Sequence, residues 1–437
     1  MTILDRKLRV WLEKQVKTPQ VAEIVGLRQV GKTTLMESFL RNLSPSLHFR
    51  FQDLVTLSQY RARPEVWSQE VDRYISTKRQ SSKDSFTPGE YVHIFVDEIQ
   101  KVPDLYQAIQ GLYDKYKGSV KFWIWGSSAR AQRRGKAETL AGRVLSRRLW
   151  PLMHSEVVAS DGGERELDSC VPVLTDLDRL ASMHVPRPAS FEAQLARHYL
   201  TQSMLPEPYL SETTELAIEL LQNYKAIYIE NEIRREKLVN DISQFERFVK
   251  LAASINGSKP NMSKMARDLS ISPSAVKRYY QLLLDTFMIY ELPVFSTSMR
   301  VQVAKQPRYV FADTGLARIV SGMRHIPETG TDEFGRAFES WVITELRKQI
   351  DAAALPWTLH HLRTKSGREL DVVIDTPREG GIAIEVKSSA RLPADATKHL
   401  KYFLANEPRI TRGIVISLDP KVQRLADNII AIPAWYL

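Results

Sequence analysis

The sequence of 437 residues contains a single cysteine, Cys170. One thiol forms no internal disulfide and no cysteine zinc cluster, which fits a reducing, cytoplasmic setting. No run of about 18 apolar residues occurs, so no membrane span and no membrane partner are expected. The opening Met1-Thr2-Ile3-Leu4-Asp5-Arg6-Lys7-Leu8-Arg9 has charges that interrupt any apolar core, which argues against a secretory signal. No internal repeat is visible. Acidic residues are the scarcer charge: 51 Asp and Glu face 61 Lys and Arg, for a net charge of +10. That balance is compatible with a nucleic-acid or acidic-membrane partner, and charge alone does not exclude a merely soluble basic protein. At this length two to four domains are expected.

What is present is organised around Gly26-Leu27-Arg28-Gln29-Val30-Gly31-Lys32-Thr33. Two glycines, then Lys and Thr, is the phosphate-binding loop pattern. Gly26 and Gly31 let the backbone turn its N–H groups toward phosphate oxygens, Lys32 reaches the β- and γ-phosphates, and Thr33 holds Mg²⁺. Val21 to Val25 reads as a buried strand before the loop. Thr34 to Asn42 reads as a helix after it, which places the loop at a helix N-terminus. The expected ligands are ATP and Mg²⁺.

Leu47 to Phe51 reads as a second strand, and Ser76 to Glu90 as a polar loop. Tyr91 to Val96 is an almost wholly apolar strand that delivers Asp97 and Glu98 at its end. Asp97 is suited to orient Mg²⁺, and Glu98 to polarise the attacking water. Lys121 to Trp125 is a fourth strand, ending at Gly126-Ser127-Ser128, where Ser127 is placed to sense a γ-phosphate. Arg130, Arg133, Arg134, Lys136, Arg143, Arg147 and Arg148 follow. Arg143 is the candidate for an arginine finger acting on a neighbouring subunit, which implies a homo-oligomeric ring. Residues 161 to 188 read as a loop-rich insertion. Helices are expected over Phe191 to Thr201 and Glu212 to Asn240, forming a lid on the nucleotide core.

From Asp241 to Phe295 the pattern changes to three helices and an apolar strand. Ser272 caps and Pro273 opens the third helix. This is a helix-turn-helix arrangement of winged-helix type, with Lys277 and Arg278 on the candidate recognition helix, in reach of DNA phosphates. A winged helix used only for protein packing is the alternative. The last third is α/β, with a helix over Phe334 to Gln349 and strands over Thr358 to Arg363, Glu369 to Ile374, Ile382 to Val386 and Gly413 to Ile416. Residues two apart in a strand share a face, so Glu385 and Lys387 point the same way. Asp371 joins them if the two strands pair.

In this order the chain resembles the prokaryotic AAA-type ATPases with an uncharacterised C-terminal domain. The resemblance is carried by the loop Gly26 to Thr34, Phe95-Val96-Asp97-Glu98-Ile99-Gln100 and Leu140-Ala141-Gly142-Arg143. It continues in Leu205-Pro206-Glu207-Pro208-Tyr209-Leu210, Phe311-Ala312-Asp313-Thr314-Gly315-Leu316, Gly367-Arg368-Glu369-Leu370-Asp371 and Ile384-Glu385-Val386-Lys387. The C-terminal part resembles the restriction-endonuclease-like superfamily known by its PD-(D/E)xK motif. Asp371, Glu385 and Lys387 match that motif, and Glu339 matches the acid often found on its first helix. The resemblance implies a second Mg²⁺ or Mn²⁺ site at Glu339, Asp371 and Glu385, with Lys387 positioning water.

The expected fold class is α/β. A P-loop ATPase core (1–155) is followed by a helical lid (156–240), a winged helix (241–300) and a restriction-endonuclease-like α/β domain (301–437). Thr34 and Ser127 complete the nucleotide-binding set with Gly26, Gly31, Lys32 and Thr33; Lys32, Glu98 and Arg143 are the catalytic candidates. The expected function is that of an ATP-hydrolysing motor or remodeller of duplex or branched DNA. The alternative is a nucleotide-controlled switch that regulates a partner protein and carries an inactive nuclease-like fold.

Overall fold

The computed structural model describes all residues except 1–3, 82–89, 128–139, 161–170, 189–190, 229–240, 297, 299, 301, 303–304 and 365. Cys170, Ser128 and the basic residues from Arg130 to Lys136 therefore lie outside the described residues. The chain divides into two compact units, Met1–Trp150 with Asp285–Phe287, and Pro151–Leu284 with Met288–Leu437.

The first unit is built on a five-stranded sheet: β1 (Val21–Val25), β2 (Ser46–Arg50), β3 (Val92–Asp97), β4 (Val120–Gly126) and β5 (Val144–Arg148), in the order β2-β3-β4-β1-β5. Every pairing is parallel. β1, β3 and β4 are buried along their whole length, as inner strands of a parallel sheet covered on both faces must be. Asp97, Gly126 and Val25 end neighbouring strands, so everything that follows them gathers at one edge of the sheet.

The first helix is Leu8–Gln15; before it Arg6 is drawn inward and donates to Val30 O at 3.0 Å and Trp150 O at 2.5 Å. Two local expectations differ from this unit. The polar stretch from Ser76 is helical as far as Ser81, within the helix Pro64–Ser81, whose Trp67, Val71 and Ile75 are fully buried. β5 was hidden in the basic run from Arg130 to Arg148. It is the edge strand, where charged side chains reach water and the ladder survives them.

The second unit holds a six-stranded mixed sheet: β8 (Thr358–Arg363), β9 (Glu369–Thr376), β10 (Gly380–Lys387), β11 (Ile410–Ser417), β12 (Gln423–Ala426) and β13 (Ile429–Pro433), in the order β12-β13-β11-β10-β9-β8. β8, β9 and β10 form an antiparallel meander, while β10–β11 and β11–β13 are parallel. Leu400 and Phe403 of the helix Lys398–Asn406 pack on Val373, Ala383, Val415 and Ala431. β12 and β13 were not expected.

The helices expected as a lid belong to this second unit. Tyr199 stacks on Trp341 of the helix Asp332–Ala352, at 5.4 Å between ring centroids. His154 Nδ1 meets the Tyr199 hydroxyl at 2.7 Å, and the His154 N–H donates to Glu345 at 2.8 Å. The described residues of 156–240 thus form a layer within the second unit, held by aromatic burial. Its expected first helix is a short turn, Phe191–Gln194, followed by a π-helical segment, Leu195–Gln202. Thr214–Tyr228 is the described part of the next helix. The loop-rich insertion holds a 3₁₀ segment (Val171–Thr175) and a helix (Leu177–Ser182) capped by Asp176, whose side chain accepts from Arg179 N at 2.9 Å.

The helices Ile242–Ser254, Met262–Leu269 and Pro273–Asp285 form as expected, the last capped by Ser272 Oγ on Ala275 N at 3.1 Å. Phe245, Phe248, Tyr279 and Tyr280 form their aromatic core. β6 (Ile289–Leu292) then pairs antiparallel with β7 (Arg308–Phe311). A domain border between 300 and 301 would split this hairpin. The chain after β6 also hydrogen-bonds to β8, through Phe295 N to His361 O and His361 N to Pro293 O, both 2.8 Å. These elements are continuous with the large sheet.

Two stretches that carry the family resemblance meet here for structural reasons. Asp313 caps its own helix through Leu316 N at 2.7 Å, and accepts from Met204 N at 2.7 Å. A β-carbon on Gly315 would lie 2.2 Å from Ser203 N, so only glycine fits.

Candidate functional site

The loop after β1 turns on Gly26, Gln29 and Gly31, all at positive φ, and runs into the helix Lys32–Leu40. Gly26 lies under β5's continuation: a β-carbon there would stand 2.3 Å from Leu149 O. Lys32 is buried and donates to Gly26 O and Leu27 O at 2.9 and 2.8 Å, so its ammonium lies inside the loop's own curl. Thr34 is exposed on the first helical turn.

Asp97 ends β3 and faces this loop. Thr33 Oγ1 donates to Asp97 Oδ2 at 3.2 Å, and Gln52 Nε2 donates to the same oxygen at 3.2 Å. Asp97 Oδ1 is buried with no hydrogen-bond partner. Burial, and then the neighbouring Glu98, push the Asp97 carboxyl up to about 6. A buried, half-satisfied carboxylate beside a threonine hydroxyl fits a hard divalent cation that takes oxygen ligands. Glu98 adopts a left-handed backbone, φ 55°, unusual outside glycine, and its carboxylate is held by Gln100 Nε2. Gln100 also reaches Ser127 Oγ at 3.3 Å, at the end of β4. The edge therefore brings together Lys32, Thr33, Asp97, Glu98 and Ser127.

Gln52 and Gln100 were not singled out from the sequence. Each sits within three residues of a strand end on the loop edge, and that position was the available signal. Arg143 is elsewhere. Its carbonyl accepts from Val21 N at the start of β1, which puts it at the opposite edge of the sheet from Val25 and the loop. Five residues of parallel strand separate the two edges, roughly 16 Å. Its guanidinium is paired to Asp114 at 3.0 and 3.2 Å. Arg143 thus cannot serve the phosphate loop of its own chain.

The second cluster lies on β9, β10 and the helix Asp332–Ala352. β9 and β10 are antiparallel neighbours, with Val372 opposite Ile384. That register sets Asp371 across from Glu385, and Asp371 Oδ2 accepts from Val386 N at 2.7 Å. Lys387 Nζ donates to Glu385 Oε2 at 3.0 Å, and His399 Nδ1 stands 3.4 Å from Oε1. Burial, then Asp371 and Glu385, raise the Glu339 carboxyl to about 8, with Arg308 opposing. Burial and Asp371 raise Glu385 to about 7. Burial raises Asp371 as well. For Lys387 burial works against the charge, yet Glu385 and Asp371 hold its pKa above the ordinary value.

Glu339, Asp371, Glu385 and Lys387 therefore share one electrostatic neighbourhood, joined by Arg308 and His399, which the sequence did not flag. Among the described residues, however, no group of three His, Cys, Asp or Glu is arranged to hold a metal ion. Lys387 Nζ holds one oxygen of Glu385 and the Val386 amide one of Asp371, while Glu385 Oε1 is buried without a hydrogen-bond partner. Lys277 and Arg278 are exposed on the helix Pro273–Asp285, and no residue of the carboxylate cluster lies on that helix.

Comparison with known proteins divides the chain similarly. Residues 18–158 match a family described as an AAA domain. Residues 193–325 match a domain of unknown function (DUF8612), and residues 334–437 another (DUF4143). The chain is similar to Uncharacterized protein Rv2008c of Mycobacterium tuberculosis and Uncharacterized protein Mb2031c of Mycobacterium bovis. Each is 20% identical over 99% of this chain and 84% of the relative. Among solved structures, Cdc6p from Pyrobaculum aerophilum is similar at 10% identity and TM-score 0.25, over 72% of this chain and 91% of that one. The Bacillus subtilis DNA clamp loader delta protein is similar at 12% identity and TM-score 0.24, over 78% and 100%. Likeness at this level says nothing about activity. With the parallel sheet and its loop, the AAA match makes the first unit a nucleotide-binding P-loop core of an AAA-type ATPase. No helix among the described residues is long and apolar enough to cross a membrane.

Proposed function

We propose that the chain is an ATP-hydrolysing protein that acts on duplex or branched DNA. One observation carries the ATPase part: Thr33 Oγ1 and the partnerless Asp97 Oδ1 lie beside Glu98 on the edge that holds Lys32. In this reading Gly26, Gly31, Lys32, Thr33 and Thr34 bind the phosphates of ATP, and Ser127 senses the terminal one. Thr33 and Asp97 hold Mg²⁺, which supplies charge neutralisation on the phosphates when bound. Glu98 accepts the proton of the attacking water, and Gln100 sets where that carboxylate points. Arg143, remote from its own loop, acts on the neighbouring subunit of a ring.

For the second unit we propose a winged helix spanning Ile242 to Phe311, with Lys277 and Arg278 contacting DNA phosphates. The helical layer from His154 to Tyr228 and the mixed sheet complete it, the sheet being of restriction-endonuclease-like type. The acidic cluster attracts cations, and Lys387 and Arg308 meet that demand within the chain. No cleavage step is assigned to it. The same self-neutralisation favours a second reading, in which the sheet is an inactive nuclease fold and the chain a nucleotide-controlled switch on a partner protein. ATP turnover measured with no DNA, with duplex, with single strands and with four-way junctions separates the two. Stimulation by any DNA supports the first; unchanged turnover with all three supports the second.

A further inference from the structure

Beside the acidic cluster, and wholly within the second unit, lies a cavity of about 520 Å³. Its walls carry Lys259, Lys305, Arg308, Arg336, His361 and Arg363, against the acids Glu339 and Glu369. Glu369 is already taken by Arg308 and by Arg363, the latter at 3.5 Å. Lys259, Lys305 and Arg336 have no ion-pair partner among the described residues. The excess charge facing the cavity is therefore positive and unspent.

His361 gives the second, independent indication. It is 5% exposed, and neither of its ring nitrogens has a hydrogen-bond partner. Its backbone is fixed on both sides by Pro293 O and Phe295 N, so the ring is held on the cavity wall. Burial, then Arg308 and Lys259, depress its pKa to about 3, so the ring is neutral and offers one N–H donor. A buried imidazole with nothing to bond costs stability unless a ligand meets it. The ligand must be anionic to answer three unpaired cations, and must accept hydrogen bonds. It must also fit a space sized for a single small molecule or one unit of a chain. A phosphate group with its sugar meets all three demands.

We propose that this cavity binds the phosphate of one nucleotide unit of a nucleic-acid strand, with Lys259, Lys305 and Arg336 as charge contacts and His361 as the buried donor. The phosphate chemistry stands on the cavity itself. That the phosphate belongs to a strand rests on the DNA reading above. The strand would then pass Glu339, which lines the same cavity and belongs to the acidic cluster.

The test uses the full chain with ADP saturating the phosphate loop. Two probes are titrated: a fluorescent single-stranded oligonucleotide, and thymidine 3′,5′-bisphosphate as a free two-phosphate ligand. Lys259→Ala/Lys305→Ala, both exposed positions, is compared with Lys398→Ala/Lys401→Ala, which removes the same charge from another surface. The expected result is at least tenfold weaker binding of both probes by the cavity variant alone. Its salt slope for the strand should fall by about 1.4, from two phosphate contacts. His361→Phe keeps the ring volume and should weaken both probes several-fold while the melting temperature of the ligand-free chain stays the same or rises, since the unpaired buried nitrogens are gone. Equal losses in the two lysine variants would overturn the proposal, as would strand binding that survives in the cavity variant. Binding of the bisphosphate but not of any strand would keep the phosphate site and sink the DNA reading.

Discussion

Two groups of acids, one in each unit, solve the same electrostatic problem differently. Asp97 and Glu98 are met by neutral donors: Thr33, Gln52 and Gln100. Glu385 is met by the Lys387 ammonium at 3.0 Å, with the His399 ring 3.4 Å from its other oxygen and Arg308 close enough to act on Glu339. Neutral donors orient a carboxylate and leave its charge intact, so a cation can be added without displacing anything. An ammonium on the carboxylate cancels that charge in advance. The first arrangement is built to receive a cation. The second must give one up before it can accept another.

The largest test of this contrast is in the first unit. Lys32→Ala should abolish nucleotide binding by calorimetry, and Glu98→Gln should keep binding while turnover falls by about 10² or more. Normal phosphate release by both variants would remove the catalytic assignment. Next comes the second unit. Mn²⁺ titrated into ADP-saturated protein should bind at the acidic cluster only weakly, and more tightly after Lys387→Ala. Asp371→Ala should lose that binding, and if no heat is seen in any variant the cluster is a packing or DNA-holding feature. Arg143→Ala should lower turnover by less than Glu98→Gln does, with ATP affinity kept. Mixing it with Lys32→Ala should restore activity, and an active wild-type monomer would rule out a finger in trans.

The smallest expected effect is on stability. The folded-state pKa of Asp97 is raised to about 6, that of Glu385 to about 7 and that of Glu339 to about 8. Each group holds its proton longer in the folded chain. Stability is thus fullest below the unfolded carboxyl values near 4 and falls as pH rises through these folded values. Asp97→Asn and Glu339→Gln should each raise the melting temperature at pH 8 by a few degrees and leave it unchanged at pH 4. Asp97→Asn should also lose turnover, which shows a charge kept at the expense of stability. Equal melting temperatures at both pH values would mean that water reaches these acids freely.

The contrast also explains what the sequence could reveal. The phosphate loop and Asp97-Glu98 are contiguous, and each follows an apolar run that can only be an inner strand. They were legible because local chemistry and tertiary position coincide. Asp371 and Glu385 were legible as a pair only through alternation on two strands, and Glu339 only through family resemblance. β5 was hidden because Arg147 and Arg148 made an edge strand look like a solvated run. The layer from His154 to Tyr228 looked like a cap on the nucleotide core because helices alone do not announce their partner. Its attachment depends on single long-range contacts, His154 to Glu345 and Tyr199 to Trp341. The cavity at His361 had no sequence signal at all, since its cations come from four separate segments.

The Arg6 guanidinium and the Gly26 turn have a mechanical consequence. Arg6 bonds at once to Val30 inside the phosphate loop and to Trp150, while the Leu149 carbonyl rests on Gly26 and the Leu149 N–H donates to Val25 O at 2.8 Å. Trp150 is where the chain leaves the first unit for the second. The loop is thus splinted to its own exit peptide from above and below. Any displacement of the loop backbone during a nucleotide cycle loads these bonds, and the load falls on the covalent joint at Trp150 and Pro151.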